Sequence, residues 1–99
     1  TTVINNLNFR TLDLNLLRVF DEVMTERNLT RAAHNLAMTQ PAVSNALRRL
    51  RQLLGDELFL RTASGMEPTP YAQQLAEPVA QALGTLREAL NVRANPMEF

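Results

Sequence analysis

Residues 29–50 read LTRAAHNLAMTQPAVSNALRRL, and this stretch decides the fold. Asn28, just before it, can cap a short helix over about 30–37, because an asparagine side chain accepts hydrogen bonds from free N–H groups. The inner face of this helix is small and apolar, which lets another helix approach closely: Ala32, Ala33 and Leu36. Residues 37–39 then form a three-residue turn. The stretch therefore predicts a short helix, a tight turn and the start of a second helix.

That second helix is predicted from Gln40 to about Leu54, with Thr39 as its N-cap and Pro41 in its first turn. Placed at about 100° per residue, its apolar and polar residues separate completely. The apolar half comprises Ala42, Val43, Ala46, Leu47, Leu50, Leu53 and Leu54, and the polar half Gln40, Pro41, Ser44, Asn45, Arg48, Arg49, Arg51 and Gln52. Gly55 is a typical residue to end such a helix.

Before this stretch, an amphipathic helix is predicted from its N-cap Asp13 to about Arg27. Apolar residues recur in it at intervals of three and four, and we expect them to form one buried stripe: Leu14, Leu17, Phe20 and Met24. The polar residues ahead of it predict a flexible leader over 1–11.

After the stretch, residues 58–61 and 66–68 predict two short strands around a loop that contains Gly65. Pro68 restricts the second strand to a sheet edge, because proline has no N–H to donate. The fold class expected is therefore mainly α, a winged helix-turn-helix with three core helices and a small β-hairpin wing.

A last helix is predicted from the N-cap Thr69 and from Pro70 at its first position. Its apolar residues alternate at four and three, the period of a two-stranded coiled coil: Ala72, Ala76, Val79, Leu83, Leu86 and Leu90. We call this row the seam. Its two alanines could pack on the first helix of the same chain. The four later residues are expected to extend beyond that body, which favours a homodimer. Pro78 predicts a kink between about residues 74 and 78.

The 99 residues suit one small domain, and a composition of 45% hydrophobic and 20% charged residues is typical of a folded protein without a membrane span. The formal net charge is zero, which alone argues against nucleic-acid binding. The middle of the chain is basic, however. Between residues 30 and 65, two acids, Asp56 and Glu57, stand against five cations: Arg31, Arg48, Arg49, Arg51 and Arg61.

The polar half of the helix over 40–54 carries side chains that suit the major groove of DNA. Glutamine and asparagine pair with adenine, arginine pairs with guanine, serine suits either, and proline offers apolar surface to a thymine methyl. The predicted base contacts are Gln40, Pro41, Ser44, Asn45 and Arg48. Helix N-termini attract phosphate, and side chains at the hairpin tip can reach an adjacent phosphate. The predicted phosphate contacts are Thr30, Arg31, Thr39, Arg49, Arg61 and Thr62.

Nothing in the sequence predicts an enzyme, a metal site or a bound cofactor. His34 is the only histidine and cysteine is absent, so a metal bound to His34 would find no second ligand of the histidine or cysteine type. The adjacent acids at 21–22 and 56–57 point to different sides of their elements, unlike the facing carboxylates of acid–base catalysis. No glycine-rich phosphate loop is present.

Four motifs resemble the LysR-type transcriptional regulators, over about residues 12–90. They are residues 13–17 (DLNLL), 29–33 (LTRAA), 39–44 (TQPAVS) and 56–61 (DELFLR). The resemblance implies a bacterial, cytoplasmic, nucleoid-associated DNA-binding protein that is dimeric through a linker helix, with the tetramer as a further assembly of the full-length protein. Residues 67–72 (EPTPYA) are similar to the branch that responds to aromatic or flavonoid inducers.

The resemblance also implies a division of the chain. Residues 12–68 are expected to form the winged helix-turn-helix, residues 69–91 the dimerisation helix, and residues 92–99 the start of a connection to a C-terminal effector-binding domain outside this sequence. Two positions depart from the family pattern. Asn45 stands where many members have arginine, and Pro78 interrupts a helix that is usually unbroken.

Two functions from different classes remain open at this point. One is a sequence-specific regulator that binds an inverted-repeat promoter site on double-stranded DNA as a dimer. The other is a winged-helix module that binds protein, which predicts large exposed apolar side chains on the outer face of the helix over 40–54.

Overall fold

The structure, a computed structural model, describes residues 10–94, with side chains for residues 10–91. In chain order its elements are α1 (Leu14–Glu26), α2 (Leu29–Leu36), α3 (Gln40–Leu54), β1 (Phe59–Thr62), β2 (Gly65–Pro68) and α4 (Pro70–Ala94). This is the mainly helical, winged helix-turn-helix class that the sequence predicts. Most of the predicted leader, residues 1–9, and residues 95–99 lie outside the described part.

The helix ends follow from local hydrogen bonds. Asp13 Oδ1 accepts from the Asn15 N–H at 2.9 Å, and Asn28 Oδ1 accepts from the Arg31 N–H at 2.8 Å. Thr39 Oγ1 accepts from the Ala42 N–H at 3.2 Å. Each side chain satisfies a donor that the first helical turn leaves free. These three predicted N-caps are confirmed, although α2 begins and ends one residue earlier than expected.

The core lies between the first three helices, the wing and the buried part of α4. It is entirely apolar among its buried members, which centre on Val19, Phe20, Val43, Leu47, Leu50 and Leu58. Phe20 of α1 meets Phe59 of β1, with 5.6 Å between the ring centroids. The wing is therefore attached to the helices through the core as well as through the chain.

The predicted stripe of α1 is displaced. The buried residues are Leu16, Val19, Phe20 and Val23, whereas Leu17 and Met24 are half-buried and Leu14 is 51% exposed. The prediction assumed a single partner for α1, but this helix contacts α2, α3 and α4. Its apolar surface is therefore wider than one stripe, and Leu14, at the first position, lies outside the packed region.

The wing is an antiparallel hairpin in which Phe59 pairs with Pro68 and Thr62 with Gly65. The Met66 N–H donates to the Arg27 carbonyl oxygen at 3.0 Å, which joins β2 to the end of α1. Gly65 has φ +121°, and a Cβ atom there would lie 2.6 Å from the same carbonyl oxygen. Only glycine fits this approach.

Helix α4 begins as predicted, with Thr69 Oγ1 accepting from the Ala72 N–H at 3.1 Å and Pro70 at the first position. It continues without interruption through Pro78 to Ala94, three residues past the predicted end. Within the described residues, no helix is long and apolar enough to cross a membrane.

The seam divides into two parts. Ala72 is fully buried, Ala76 is half-buried, and Val79 and Leu83 are only 5% and 6% exposed, all within the core of one chain. The expectation that Val79 and Leu83 extend beyond the body was wrong, because α4 lies along α1 and is covered by it that far. Leu86 and Leu90 do extend beyond it and are 44% and 69% exposed.

Candidate nucleic-acid interface

Helices α2 and α3 form the predicted helix-turn-helix. Ala37 adopts the left-handed conformation, with φ 57°, and the Met38 N–H donates to the Ala33 carbonyl oxygen at 2.9 Å. These two residues reverse the chain within the predicted three-residue turn. Ala32 and Ala33 are buried, so the small inner face of α2 is part of the packed interior.

The outer face of α3 is polar and accessible. Of the predicted base contacts, Gln40, Pro41, Asn45 and Arg48 are exposed and Ser44 is half-buried. At about 100° per residue, four exposed side chains lie within about 30° of the direction opposite the buried residues of the helix: Pro41, Asn45, Arg48 and Gln52. A surface that α3 approaches with its outer face therefore meets these side chains first.

A cleft of about 210 Å³ joins the N-terminal ends of α2 and α3 to the wing. Four predicted contact residues line it: Thr30, Gln40, Arg61 and Thr62. Gln40 and Arg61, which are 21 positions apart along the chain, thus share one concave surface. Thr30, Arg61 and Thr62 are all exposed there, which suits contact with a phosphate backbone.

The hydroxyl group of Thr62 is already used within the hairpin. It donates to the Gly65 carbonyl oxygen at 3.1 Å and accepts from the Ser64 N–H at 3.2 Å. Thr62 therefore shapes the tip of the wing, and Arg61 is the group there with the charge and donors to hold a phosphate.

A second cleft, of about 320 Å³, separates α3 from the wing. Ser44, Arg51 and Arg61 line it together, and Arg51 Nε lies 4.0 Å from the Glu57 carboxylate. The sequence placed Arg51 on the polar half of α3 but gave it no role. It is half-buried beside the wing, a position that only the three-dimensional fold reveals.

Arg49 lies on the other side of α3. It is exposed and lines a shallow cleft with Thr11, Gln52 and Leu53, away from the wing. Arg49 and Arg61 thus carry positive charge on the two flanks of α3. An arrangement of this kind places one cation near each of the two backbones that border a groove.

Arg31 is exposed but already paired, since its Nε lies 3.3 Å from Glu26 Oε1. The same carboxylate accepts from Asn35 Nδ2 at 3.0 Å, and Asn35 also donates to Glu22 Oε2 at 2.7 Å. These bonds join α2 to α1. They were not anticipated, although Glu22 and Glu26 stand four residues apart and so face the same way on α1.

Among the titratable side chains of residues 10–94, no group of three or more His, Cys, Asp and Glu residues could hold a metal ion, and His34 is exposed. Burial of its carboxyl, and secondarily the charge of Glu22, raises the pKa of Asp21, while Arg87 of α4 acts in the opposite direction. Asp21 thus belongs to the contact between α1 and α4.

Comparison with known proteins gives one consistent result for this chain. The family model of the bacterial regulatory helix-turn-helix proteins, lysR family, matches residues 14–73. The HTH-type transcriptional activator NagR of a Ralstonia species is 56% identical over 87 residues, which cover 88% of this chain and 29% of that protein.

Solved structures agree with the sequence matches. The probable transcriptional regulator PA0477 from Pseudomonas aeruginosa superposes with a TM-score of 0.80 at 54% identity, over 83% of this chain and 28% of that one. The BenM_DBD/benA site 1 DNA complex gives a TM-score of 0.76 at 25% identity, over 85% and 98% of the two chains.

This chain therefore spans less than a third of the length of NagR and of PA0477. The match to the family model covers all of the helix-turn-helix, the wing and the start of α4. From these matches and the geometry of α2 and α3, the chain belongs to the lysR family of bacterial regulatory helix-turn-helix proteins, which are DNA-binding transcriptional regulators.

Proposed function

We propose that this chain reads a specific DNA sequence as a homodimer, with α3 of each protomer in the major groove and each wing against the neighbouring backbone. The observation that carries the proposal is the composition of the outer face of α3. Gln40, Asn45 and Arg48 are exposed on it, and they are the side-chain types that pair with base edges.

The same face disfavours the protein-binding alternative. In the described part of the chain, the large exposed apolar residues are Leu14, Leu60, Tyr71, Leu86 and Leu90, and none of them belongs to α3. A protein-binding face typically contains large apolar or aromatic side chains that fill pockets of the partner. The exposed groups of α3 are instead suited to hydrogen bonding.

Each predicted contact has a distinct role in this proposal. Gln40 and Asn45 would pair with adenine, Arg48 with guanine, Pro41 would contact a thymine methyl, and Ser44 would bond at the edge nearest the wing. Arg49 and Arg61 would hold the two flanking backbones, with Thr30, Arg31 and Thr39 at the starts of α2 and α3. For Arg31, phosphate competes with Glu26.

The homodimer rests on the distal part of the seam. Leu86 and Leu90 continue the apolar row past the point where α1 covers it, and they lie exposed on a single chain. Burying them against the same residues of a twin would remove this apolar surface from water. Two paired α4 helices would present two α3 helices to one side of a duplex, so the site would be an inverted repeat.

The remainder of the proposal concerns the whole protein. We expect a C-terminal effector-binding domain that binds an aromatic or flavonoid inducer. In this chain we expect no cofactor and no enzymatic activity. The full-length protein is expected to assemble into tetramers and to be cytoplasmic and nucleoid-associated. What supports these points is family membership and the similarity of residues 67–72 to the branch that responds to aromatic inducers.

Selection of bound duplexes from a random DNA library, followed by sequencing, tests the proposal. Enrichment of an inverted repeat is expected. Enrichment of a single half-site would contradict the dimer but retain the reading by α3. If folded protein enriches no sequence at low salt, DNA reading is contradicted and the protein-binding alternative is favoured. Affinity for the enriched site should fall with salt, with a log–log slope of about −0.9 per neutralised phosphate.

A further inference from the structure

The end of α3 is tied to the start of α4 by hydrogen bonds that bypass the wing. Asp56 lies two residues after the last residue of α3, and its Oδ1 accepts from Thr69 Oγ1 at 2.7 Å. The Thr69 N–H donates to the Leu58 carbonyl oxygen at 2.9 Å. We call Asp56, Leu58 and Thr69 the joint. Asp56 and Thr69 are 13 positions apart along the chain, yet their side chains are in direct contact.

The α3 side of the joint is held in one conformation. Leu58 has φ +66°, a value that side-chain-bearing residues seldom adopt. Two interactions hold it there. Its N–H donates to Asp56 Oδ1 at 2.8 Å, and its side chain is fully buried in the core. The same carboxylate oxygen thus fixes the backbone of Leu58 and holds the hydroxyl group of Thr69.

The α4 side is equally constrained, because the Thr69 hydroxyl group is used twice. It donates to Asp56 and accepts from the Ala72 N–H, the bond that caps α4. The first turn of α4 therefore starts from an atom whose position depends on Asp56. Hydrogen bonds are directional, whereas the apolar contacts of α4 with α1 are not. The joint therefore specifies the angle between α3 and α4, which the apolar contacts of α4 with α1 do not.

A small change in this angle has a large effect at the far end of α4. The helix has 25 residues, and at ~1.5 Å per residue it is about 37 Å long. A rotation of about 5° at its base moves its tip by about 3 Å, close to the ~3.4 Å rise of one base pair. Leu86 and Leu90, which would meet the twin, lie in this outer part.

We propose that the Asp56–Thr69 joint sets the spacing of the two DNA half-sites that the dimer accepts. The inference rests on the proposed function, since it requires two chains paired through α4. Asp56 and Thr69 are positioning residues in this account, because they fix the direction of α4 relative to α3 and touch no base. Loss of their bond should widen the range of spacings and leave the reading of each half-site unchanged.

The test measures binding to a panel of duplexes that carry the enriched half-sites at the best spacing and at one and two base pairs more or fewer. A single half-site duplex is measured in parallel. The variant Thr69→Val keeps the shape of the side chain without the hydroxyl group, and Thr69→Ser restores the hydroxyl group. Thr85→Val changes an exposed threonine of the same helix and is the matched control.

For wild type, Thr69→Ser and Thr85→Val, we expect the same narrow preference for one spacing. A hydrogen bond of this kind is worth a factor of about 2 to 12 in an equilibrium constant. Thr69→Val should therefore lower the ratio of affinities at the best and neighbouring spacings by about threefold or more, with half-site affinity unchanged. A purely structural role of Thr69 would lower the melting temperature without changing that ratio.

The outcomes separate the inference from the proposed function. If wild type prefers one spacing and folded Thr69→Val prefers it equally, the joint does not set the spacing, although dimeric binding stands. If wild type binds single half-sites as well as any repeat, dimeric binding itself fails, and the inference with it. Should Thr69→Val not fold, Asp56→Ala breaks the same bond from the α3 side and is judged by the same ratio.

Discussion

The apolar residues of α3 and those of α4 reach different surroundings. In α3 they are all buried or half-buried within one chain, and the opposite face carries polar side chains together with Pro41. In α4 the apolar row is covered by α1 as far as Leu83 and then continues, exposed, to Leu86 and Leu90. A regular apolar pattern thus predicts burial without specifying the partner. Where the apolar row extends past the surface that covers it within one chain, the exposed residues, here Leu86 and Leu90, are available to a second chain.

Replacing the exposed part of the seam should give the largest effect on assembly. Leu86→Glu with Leu90→Glu removes four leucines from a dimer interface, and each is worth at least about 1.5 kcal/mol when fully buried. We expect dimerisation to weaken by about 6 kcal/mol if all four are covered, and the monomer to stay folded. Sedimentation equilibrium measures the first effect and circular dichroism the second.

The matched change is made at Leu83, the residue of the seam that precedes Leu86. Leu83→Glu places a charge at a position that is buried within the single chain, so it should unfold the protein instead of producing a folded monomer. If Leu83→Glu folds and Leu86→Glu with Leu90→Glu still dimerises, the division of the seam into an internal and an external part is wrong.

Gly65→Ala tests whether DNA binding depends on the wing as well as on α3. The added Cβ would meet the Arg27 carbonyl oxygen, at a φ that alanine rarely adopts. We expect a loss of about 1–3 kcal/mol in the free energy of unfolding, measured by urea denaturation, and weaker DNA binding through the displaced Arg61. Gly84→Ala, in α4 with nothing within 4 Å of its Cβ position, should instead stabilise the protein by up to about 1 kcal/mol.

Arg48→Ala tests the outer face of α3 at the position opposite the core. If Arg48 reads a base, affinity for the enriched site should fall by about 1–3 kcal/mol and discrimination at one base pair should be lost. Fluorescence anisotropy with matched and singly mutated duplexes measures both. Arg49→Ala is the comparison, because a phosphate contact should weaken all sequences equally and reduce the salt slope by about one. Equal losses on all duplexes for Arg48→Ala would place this residue on the backbone as well.

The smallest expected effect concerns Asp21, in the contact between α1 and α4. Because the pKa of Asp21 is raised in the folded protein, the folded state binds this proton more tightly than the unfolded state. Its contribution to stability is therefore present below the ordinary aspartate pKa, about 3.9, and is lost as the pH rises through the raised folded value. Asp21→Asn should melt at a slightly higher temperature at pH 7, with the difference shrinking towards pH 4.

The helices and the wing could be predicted from the sequence because their signals are local. Asp13, Asn28 and Thr39 cap their helices by bonds to residues two or three positions away, and a pattern in the chain is enough to find them. The division of the seam could not be predicted this way. It depends on how far α1 extends beside α4, which is a property of packing and not of the spacing of Val79 and Leu83.

The site shows the same limit. The outer face of α3 follows from periodicity, so Gln40, Asn45 and Arg48 could be named in advance and are exposed. The pairing of Arg31 with Glu26 and the joint of Asp56 with Thr69 connect different elements. Polar residues of these types are common on protein surfaces. Only the distances between them in the folded chain show which ones form a hydrogen bond or an ion pair with each other.

The central claim is that two chains, paired through the outer part of α4, present two α3 helices to one duplex. Sedimentation velocity of the chain mixed with an enriched inverted-repeat duplex measures the mass of the complex directly. The account predicts two chains per duplex at saturation, and one chain per duplex for Leu86→Glu with Leu90→Glu at the same concentration. A wild-type complex that saturates with a single chain on a full inverted repeat would contradict it.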